Sequence, residues 1–308
     1  MTHCFSRRSF LKGSAAAAAV LSSPLLPADA ASSETENGLF SPVSALCQTQ
    51  YGPVRGREGE NGQLCWYGIP YGAAPTGESR WTAPQEPSRW QTVRDCTSPA
   101  PAAYQYTTFP LGTEDCLTLD IYSSAEAKKR PVLVYLHGSA ATGSSLELPG
   151  SELVRDAGCV FVALNYRLGL FGWNCLPALT ADPDATGNFA LLDIARALDW
   201  VRDNIASFGG DPQNITVLGF AAGGRDGMAL LASPLFVGRF QKAISISGGM
   251  TCADENTSAE TLAAALAPLA VQDGKALTEA TARRWLLTED PAVRSWLCGV
   301  DAARLAPL

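Results

Sequence analysis

The chain has 308 residues, 46% hydrophobic and 17% charged, with 28 glycines and 20 prolines, which fits a folded globular protein and excludes a disordered or fibrous one. A net charge of −7 without a basic patch argues against nucleic acid as a partner. The length accommodates one large domain or two small ones.

The chain opens with an address. Ser6-Arg7-Arg8-Ser9-Phe10-Leu11-Lys12 has the twin-arginine export pattern, an apolar stretch runs from Ala15 to Leu26, and Ala28-Asp29-Ala30 is a small-x-small cleavage signal. The apolar stretch is shorter than the roughly 20 residues that span a bilayer, so residues 1–30 read as a removable leader and not as an anchor. Removing them takes three cations and one anion from −7 and leaves −9. Such a leader predicts a bacterial periplasmic or secreted product that folds before export, with no membrane partner.

From Tyr51 onward, turn signals alternate with short apolar runs. Cys116–Tyr122 alternates with period two and reads as a strand. Lys128-Lys129-Arg130 reads as a solvated loop ahead of the next one. Pro131–His137 and Cys159–Asn165 are nearly continuous apolar runs, as are Ile215–Gly219 and Ala243–Ser247, and all four fit strands buried on both faces. Asn188–Ser207 carries Leu191, Leu192, Ala195, Leu198 and Val201 on one helical face and stops at Gly209-Gly210-Asp211-Pro212. Gly223–Ser233 reads as a further helix, and after Ala259 only helical patterns remain: Thr261–Ala270, Glu279–Leu287 and Pro291–Leu297. Alternating strands and helices predict an α/β layered fold.

Without the leader, cysteines remain at 47, 65, 96, 116, 159, 175, 252 and 298. An even number in an exported protein permits disulfides, while the absence of CxxC pairs and of nearby histidines argues against a zinc site. Cys159 reads as a small buried hydrophobe. The acceptor patterns at Asn214 and Asn256 are coincidental in a bacterial export product.

Ile215-Thr216-Val217-Leu218-Gly219-Phe220-Ala221-Ala222-Gly223-Gly224 is a strand, a glycine-flanked turn and a helix start, the setting in which G-x-S-x-G lifts a nucleophilic serine above a sheet. The surrounding chain resembles the type-B carboxylesterases and cholinesterases over most of its mature length. The resemblance rests on Gly68-Ile69-Pro70-Tyr71, Arg80-Trp81, Trp90, Glu114-Asp115-Cys116-Leu117-Thr118-Leu119, Asn165-Tyr166-Arg167-Leu168-Gly169, Gly187-Asn188-Phe189, Asn204–Pro212 and Phe240–Gly248. It implies an α/β-hydrolase fold: a truncated, mostly parallel sheet flanked by helices, with a helical C-terminal tail. The organisation expected is a leader (1–30), the N-terminal part of the hydrolase domain (31–258) and a helical segment of the same domain (259–308).

The family reaction is acyl transfer by a serine, a histidine base and an orienting acid, with backbone N–H groups on the oxyanion. Ala221 stands where that serine belongs, and a methyl group cannot attack a carbonyl. Phe220 replaces the usual glutamate and makes the rim apolar. Ser245 and Ser247 lie at a strand end without an elbow and read as structural. The only histidines are His3, in the leader, and His137, which matches the first residue of the oxyanion loop. The positions Gly138, Ser139, Ala140 and Ala222 read as a vestigial oxyanion hole, with Cβ atoms where the family has glycines and with the Ala222 N–H still able to donate. No catalytic residue is intact, and neither cofactor nor metal is implied.

By the same resemblance Arg80 pairs with Glu114 and Arg167 with Asp193, and Cys116 either joins Cys96 or stays free. Three readings follow in order: an inactive member of the family; a non-catalytic binding protein, with a small ester-like molecule as the possible ligand; and an active ester hydrolase completed by a partner chain. The strand at Ala243–Ser247 is expected to leave an open apolar sheet edge, suited to self-association or a partner chain.

Overall fold

A computed structural model describes residues 44–59, 62–180 and 186–308. The leader lies outside the described residues. The main sheet has seven strands: β1 (Arg57–Glu58), β2 (Gln63–Pro70), β3 (Thr118–Ser124), β4 (Arg130–Leu136), β5 (Val160–Leu164), β6 (Gly210–Phe220) and β7 (Lys242–Ile246). Their spatial order is β7-β6-β4-β5-β3-β2-β1. The first four in that order run parallel and the last three join antiparallel, so the sheet is mixed. Every residue of β5 is buried, as a central strand covered on both faces should be.

The period-two pattern of β3 does not mark a solvent face. Thr118, Asp120 and Ser123 are buried with their apolar neighbours because each finds a partner. The Asp120 carboxylate accepts from the Gly68 N–H (2.8 Å) and from the Ser145 hydroxyl (2.7 Å), the Ser123 hydroxyl donates to the Phe208 carbonyl (2.7 Å), and the Asn165 amide reaches Thr118 Oγ1 (3.2 Å). Arg130, read with its lysines as loop, is the first residue of β4; the chain turns just before it, with Lys129 at φ +51°.

The longer helices are α1 (Gly150–Ala157), α2 (Phe189–Asn204), α3 (Ala221–Ala232), α4 (Glu255–Gln272), α5 (Glu279–Leu286) and α6 (Pro291–Gly299), with single helical turns at Gly169–Gly172 and Ala302–Leu305. On one sheet face α2 buries Leu198, Trp200 and Val201; on the other, Val154 of α1 packs with Tyr122, Tyr135 and Phe161. The C-terminal helices start on side-chain caps from Asp254, Thr278, Asp290 and Asp301, each occupying an N–H that the first turn leaves free. They form their own core with Trp81, Phe171 and Phe189, to which no residue of β7 contributes.

Two ion pairs, one half-buried and one fully buried, fasten loops to this frame. Arg80 holds both oxygens of Glu114 (2.7 and 2.6 Å) and also donates to the carbonyls of Leu297 and Val300 (2.9 Å each), tying an early loop to the end of α6. Arg167 holds both oxygens of Asp193 (2.8 and 2.6 Å) on α2. Cys96 and Cys116 are both buried free thiols, so Cys116 takes the unpaired state of the two left open. Burial pushes the Cys96 thiol up to about 11 and raises that of Cys116 as well.

Candidate functional site

Strand β6 passes into α3 without a loop. Ala221 sits at the junction with φ +47°, a left-handed conformation that an L-residue rarely adopts. Two glycines make the junction sterically possible. A Cβ on Gly219 would stand 2.0 Å from the Gly223 carbonyl oxygen, and one on Gly223 would stand 2.2 Å from that of Leu136. Backbone therefore lies directly on backbone, and the first turn of α3 sits against the end of β4. The result is a sharp elbow that presents one side chain at its apex. That side chain is the Ala221 methyl.

The oxyanion positions are close by, and several of their polar groups are engaged. The Ala222 N–H, read from the sequence as still able to donate to a ligand, donates instead to the Gly138 carbonyl (3.2 Å). The Gly138 N–H goes to Glu147 Oε1 (2.9 Å), which also accepts from the Tyr135 hydroxyl (2.9 Å). Ser139 Oγ accepts from the N–H groups of Ala141 (3.2 Å) and Thr142 (3.0 Å) and so closes its own loop, while the Ala140 carbonyl accepts from the Gly169 N–H (2.7 Å). Over this loop lies Phe220, 45% exposed, with its ring in the space that a Cβ on Gly138 would fill. Phe220 places an exposed aromatic ring beside the Glu147 carboxylate at this edge of the elbow.

His137 is buried. Its ring stacks on Tyr166 with centroids 4.4 Å apart, and neither ring nitrogen has a hydrogen-bond partner among the described residues. Burial lowers its pKa to about 4, against a weaker upward pull from Glu147. Ser245 Oγ donates to the Gly224 carbonyl (2.9 Å), a structural bond. Ser247 stands just past β7 with φ +56°.

Sequence reasoning missed two groups here. Asp226, on the buried face of α3, is 5% exposed, and its Oδ2 has no hydrogen-bond partner among the described residues. Burial raises its pKa to about 7, opposed by Arg225 and the Tyr166 hydroxyl. An acid two residues after Gly223-Gly224, in an otherwise apolar helical face, was the signal available. Glu147 carried no signal, because its role depends on where the 138–142 loop falls. Among the described residues no group of three or more His, Cys, Asp or Glu side chains is placed to hold a metal.

The frame, the elbow and the loop beside it can be compared with known proteins. A carboxylesterase family profile matches residues 43–280. This chain belongs to the carboxylesterase family. It is 41% identical over 242 residues to a para-nitrobenzyl esterase of Bacillus subtilis (strain 168), covering 75% of this chain and 49% of that protein. It is 38% identical over 215 residues to a fumonisin B1 esterase of Sphingopyxis macrogoltabida, covering 66% and 39%. A thermophilic para-nitrobenzyl esterase structure superposes with a TM-score of 0.74 at 36% identity, over 85% of this chain and 52% of that one. A Geobacillus stearothermophilus carboxylesterase gives 0.69 at 33% identity, over 86% and 54%. These neighbours give the family member its α/β-hydrolase fold. The chain spans about half the length of the relatives it matches. Residues 4–23 match the signal sequence of the twin-arginine translocation pathway, which directs export to the periplasm or beyond.

Proposed function

We propose that this polypeptide is a non-catalytic member of the carboxylesterase family: a hydrolase frame that keeps the elbow and does not itself turn over esters. The observation that carries the reading is Ala221 at φ +47°, an elbow holding a methyl group at its apex. The relatives are named as esterases, so ester hydrolysis is the activity we take to be lost. Loss of a nucleophile or a base typically costs around 10⁴–10⁶ in rate, and a damaged oxyanion hole costs roughly 10²–10³ more.

Two further features support it. The described histidine is a buried stacking partner with a depressed pKa, which makes it a poor proton acceptor for chemistry at the elbow. The Ala222 N–H is occupied by the Gly138 carbonyl, so it offers no donor to a developing oxyanion without rearrangement. The same occupied N–H weighs against a specific carbonyl ligand at the elbow.

The test is incubation of the purified chain with p-nitrophenyl butyrate and with a fluorophosphonate probe. The reading expects release at the rate of a non-hydrolase control protein and no covalent label. A burst of nitrophenol with a labelled peptide would overturn it.

A further inference from the structure

Eight cysteines lie within the described residues, and all are free thiols. Those at 47, 65, 96, 116, 159 and 298 are buried, Cys175 is half-buried and Cys252 is exposed. The backbone around Cys175 is fixed. The Asn174 N–H donates to the Gly187 carbonyl (2.9 Å), and a Cβ on Gly187 would stand 2.9 Å from the Cys175 Cβ. With that side closed, the Cys175 thiol turns to the start of α4, where it donates to the Glu255 carbonyl (3.6 Å). Cys252 lies three residues before Glu255, a stretch that spans at most about 10 Å. Asp254 is held as the cap of α4, accepting from the Thr257 N–H (2.9 Å). Residues 249–253 are exposed, belong to no strand or helix, and take part in no hydrogen bond among the described residues. One thiol is thus anchored, and the other hangs beside it on a short tether. The Cα atoms of a disulfide stand roughly 4.4–6.8 Å apart, a separation that the tether reaches by swinging about Asp254.

The route of export selects this pair. A twin-arginine leader sends out a chain that has already folded, so folding takes place where thiols stay reduced and the product arrives where disulfides persist. By then the six buried thiols are shielded by packed side chains. We propose that Cys175 and Cys252 are an oxidation site, joined as a disulfide after export by exchange with an external disulfide. The exposed Cys252 thiolate attacks one sulfur of that disulfide and releases the other as a thiolate. The Cys175 thiolate then attacks Cys252 Sγ in the mixed disulfide and releases the second thiolate. The two cysteines lose two protons and two electrons, and the external disulfide takes up both and becomes two thiols. The new bond ties the segment between β7 and α4 to the loop ahead of α2 and closes a loop of roughly 80 residues. The proposal does not depend on the chemistry at Ala221.

The test uses the full chain, purified with its thiols reduced and then treated with oxidised glutathione. Alkylation, digestion and peptide mass mapping should give an intramolecular cross-linked pair that holds Cys175 and Cys252, with the six buried cysteines alkylated only after denaturation. The oxidised chain should melt roughly 5 °C or more above the reduced one, and dithiothreitol should reverse the gain. Cys252→Ser, at an exposed position, should abolish both the cross-link and the Tm gain. Cys175→Ser should leave glutathione attached to Cys252, while circular dichroism reports an unchanged fold for both variants. The proposal is overturned if Cys252 of the parent chain carries glutathione while Cys175 stays free, if Cys252 links two chains, or if either cysteine pairs with a different one.

Discussion

The imidazole of His137 lies flat on the ring of Tyr166, with planes 1° from parallel and centroids 4.4 Å apart. A histidine held this way is packing material. With its pKa lowered by burial to about 4, against an ordinary 6.5, it stays neutral at every pH where an esterase base would work. The ring's carbon-bound proton signals in NMR should therefore not shift between pH 5 and 8. The sign of the linked stability follows: the unfolded chain protonates this group below about 6.5 and the folded chain resists, so stability present above that pH is lost as pH falls toward 4. The full effect is about 3 kcal/mol. A His137 titration midpoint near 6.5 in the folded protein would show that the ring is accessible.

Asp226 works in the opposite direction. Burial raises its pKa to about 7, so the folded state prefers the neutral acid while the unfolded chain ionises near 4. Its contribution is present below about 4 and is lost as pH rises to about 7, a penalty on the order of 4 kcal/mol. Asp226→Asn keeps the shape and removes the ionisation. The variant should gain thermal stability over the parent at pH 8 and little at pH 4.5, measured as the difference in Tm at each pH. An equal change at both pH values would mean that Asp226 is ionised in both states.

How much of this was legible can be judged from individual residues. β4, β5 and β6 were readable from their apolar runs, and Gly219 with Gly223 announced the elbow by chemistry that only glycine permits. The run at Ala243–Ser247 does form β7, but four of that strand's five residues are exposed, against the expectation of burial on both faces, because no strand or helix covers its Ile244 and Ile246 side among the described residues. Ala221 at the apex of the elbow was legible as well, because its register is fixed by its neighbours. Hydrogen-bond partners were not legible. The Ala222 N–H is occupied by a carbonyl 84 residues earlier in the chain. Helix α1 escaped notice because only Gly150 and Val154 are buried along its eight residues. β6 begins at Gly210, ahead of a register shift before Ile215, where the sequence offered only a helix stop.

Ala221 carries backbone strain without the reactive group that strain commonly serves. An L-residue in the left-handed region costs roughly 1–2 kcal/mol, while glycine escapes that at an entropic cost of about 0.5–1. Ala221→Gly should therefore raise stability by about 0.5–1 kcal/mol, a Tm increase of about 2 °C in a domain of this size. Ala221→Ser should keep the strain, leave Tm within about 1 °C, and still fail to react with the fluorophosphonate probe, because no base stands beside it among the described residues. Destabilisation by Ala221→Gly would mean that the methyl group contributes packing that outweighs the strain.

The Arg167–Asp193 pair offers the sharpest contrast between buried and surface charge. Both side chains are almost wholly buried, 2% and 0% exposed, and Asp193 also accepts from the Arg167 N–H (3.1 Å). Burial raises the Asp193 pKa, and the arginine opposes that rise, so the carboxylate and the guanidinium depend on each other for solvation. Asp193→Ala leaves a guanidinium buried without its counter-ion, which should cost about 3–5 kcal/mol, enough to lower the chemical-denaturation midpoint sharply or prevent folding. Asp156→Ala removes an exposed ion pair with Arg155 and should leave that midpoint unchanged. If the two variants unfolded at similar denaturant concentrations, water would have to reach Arg167, and the loop it anchors would be open.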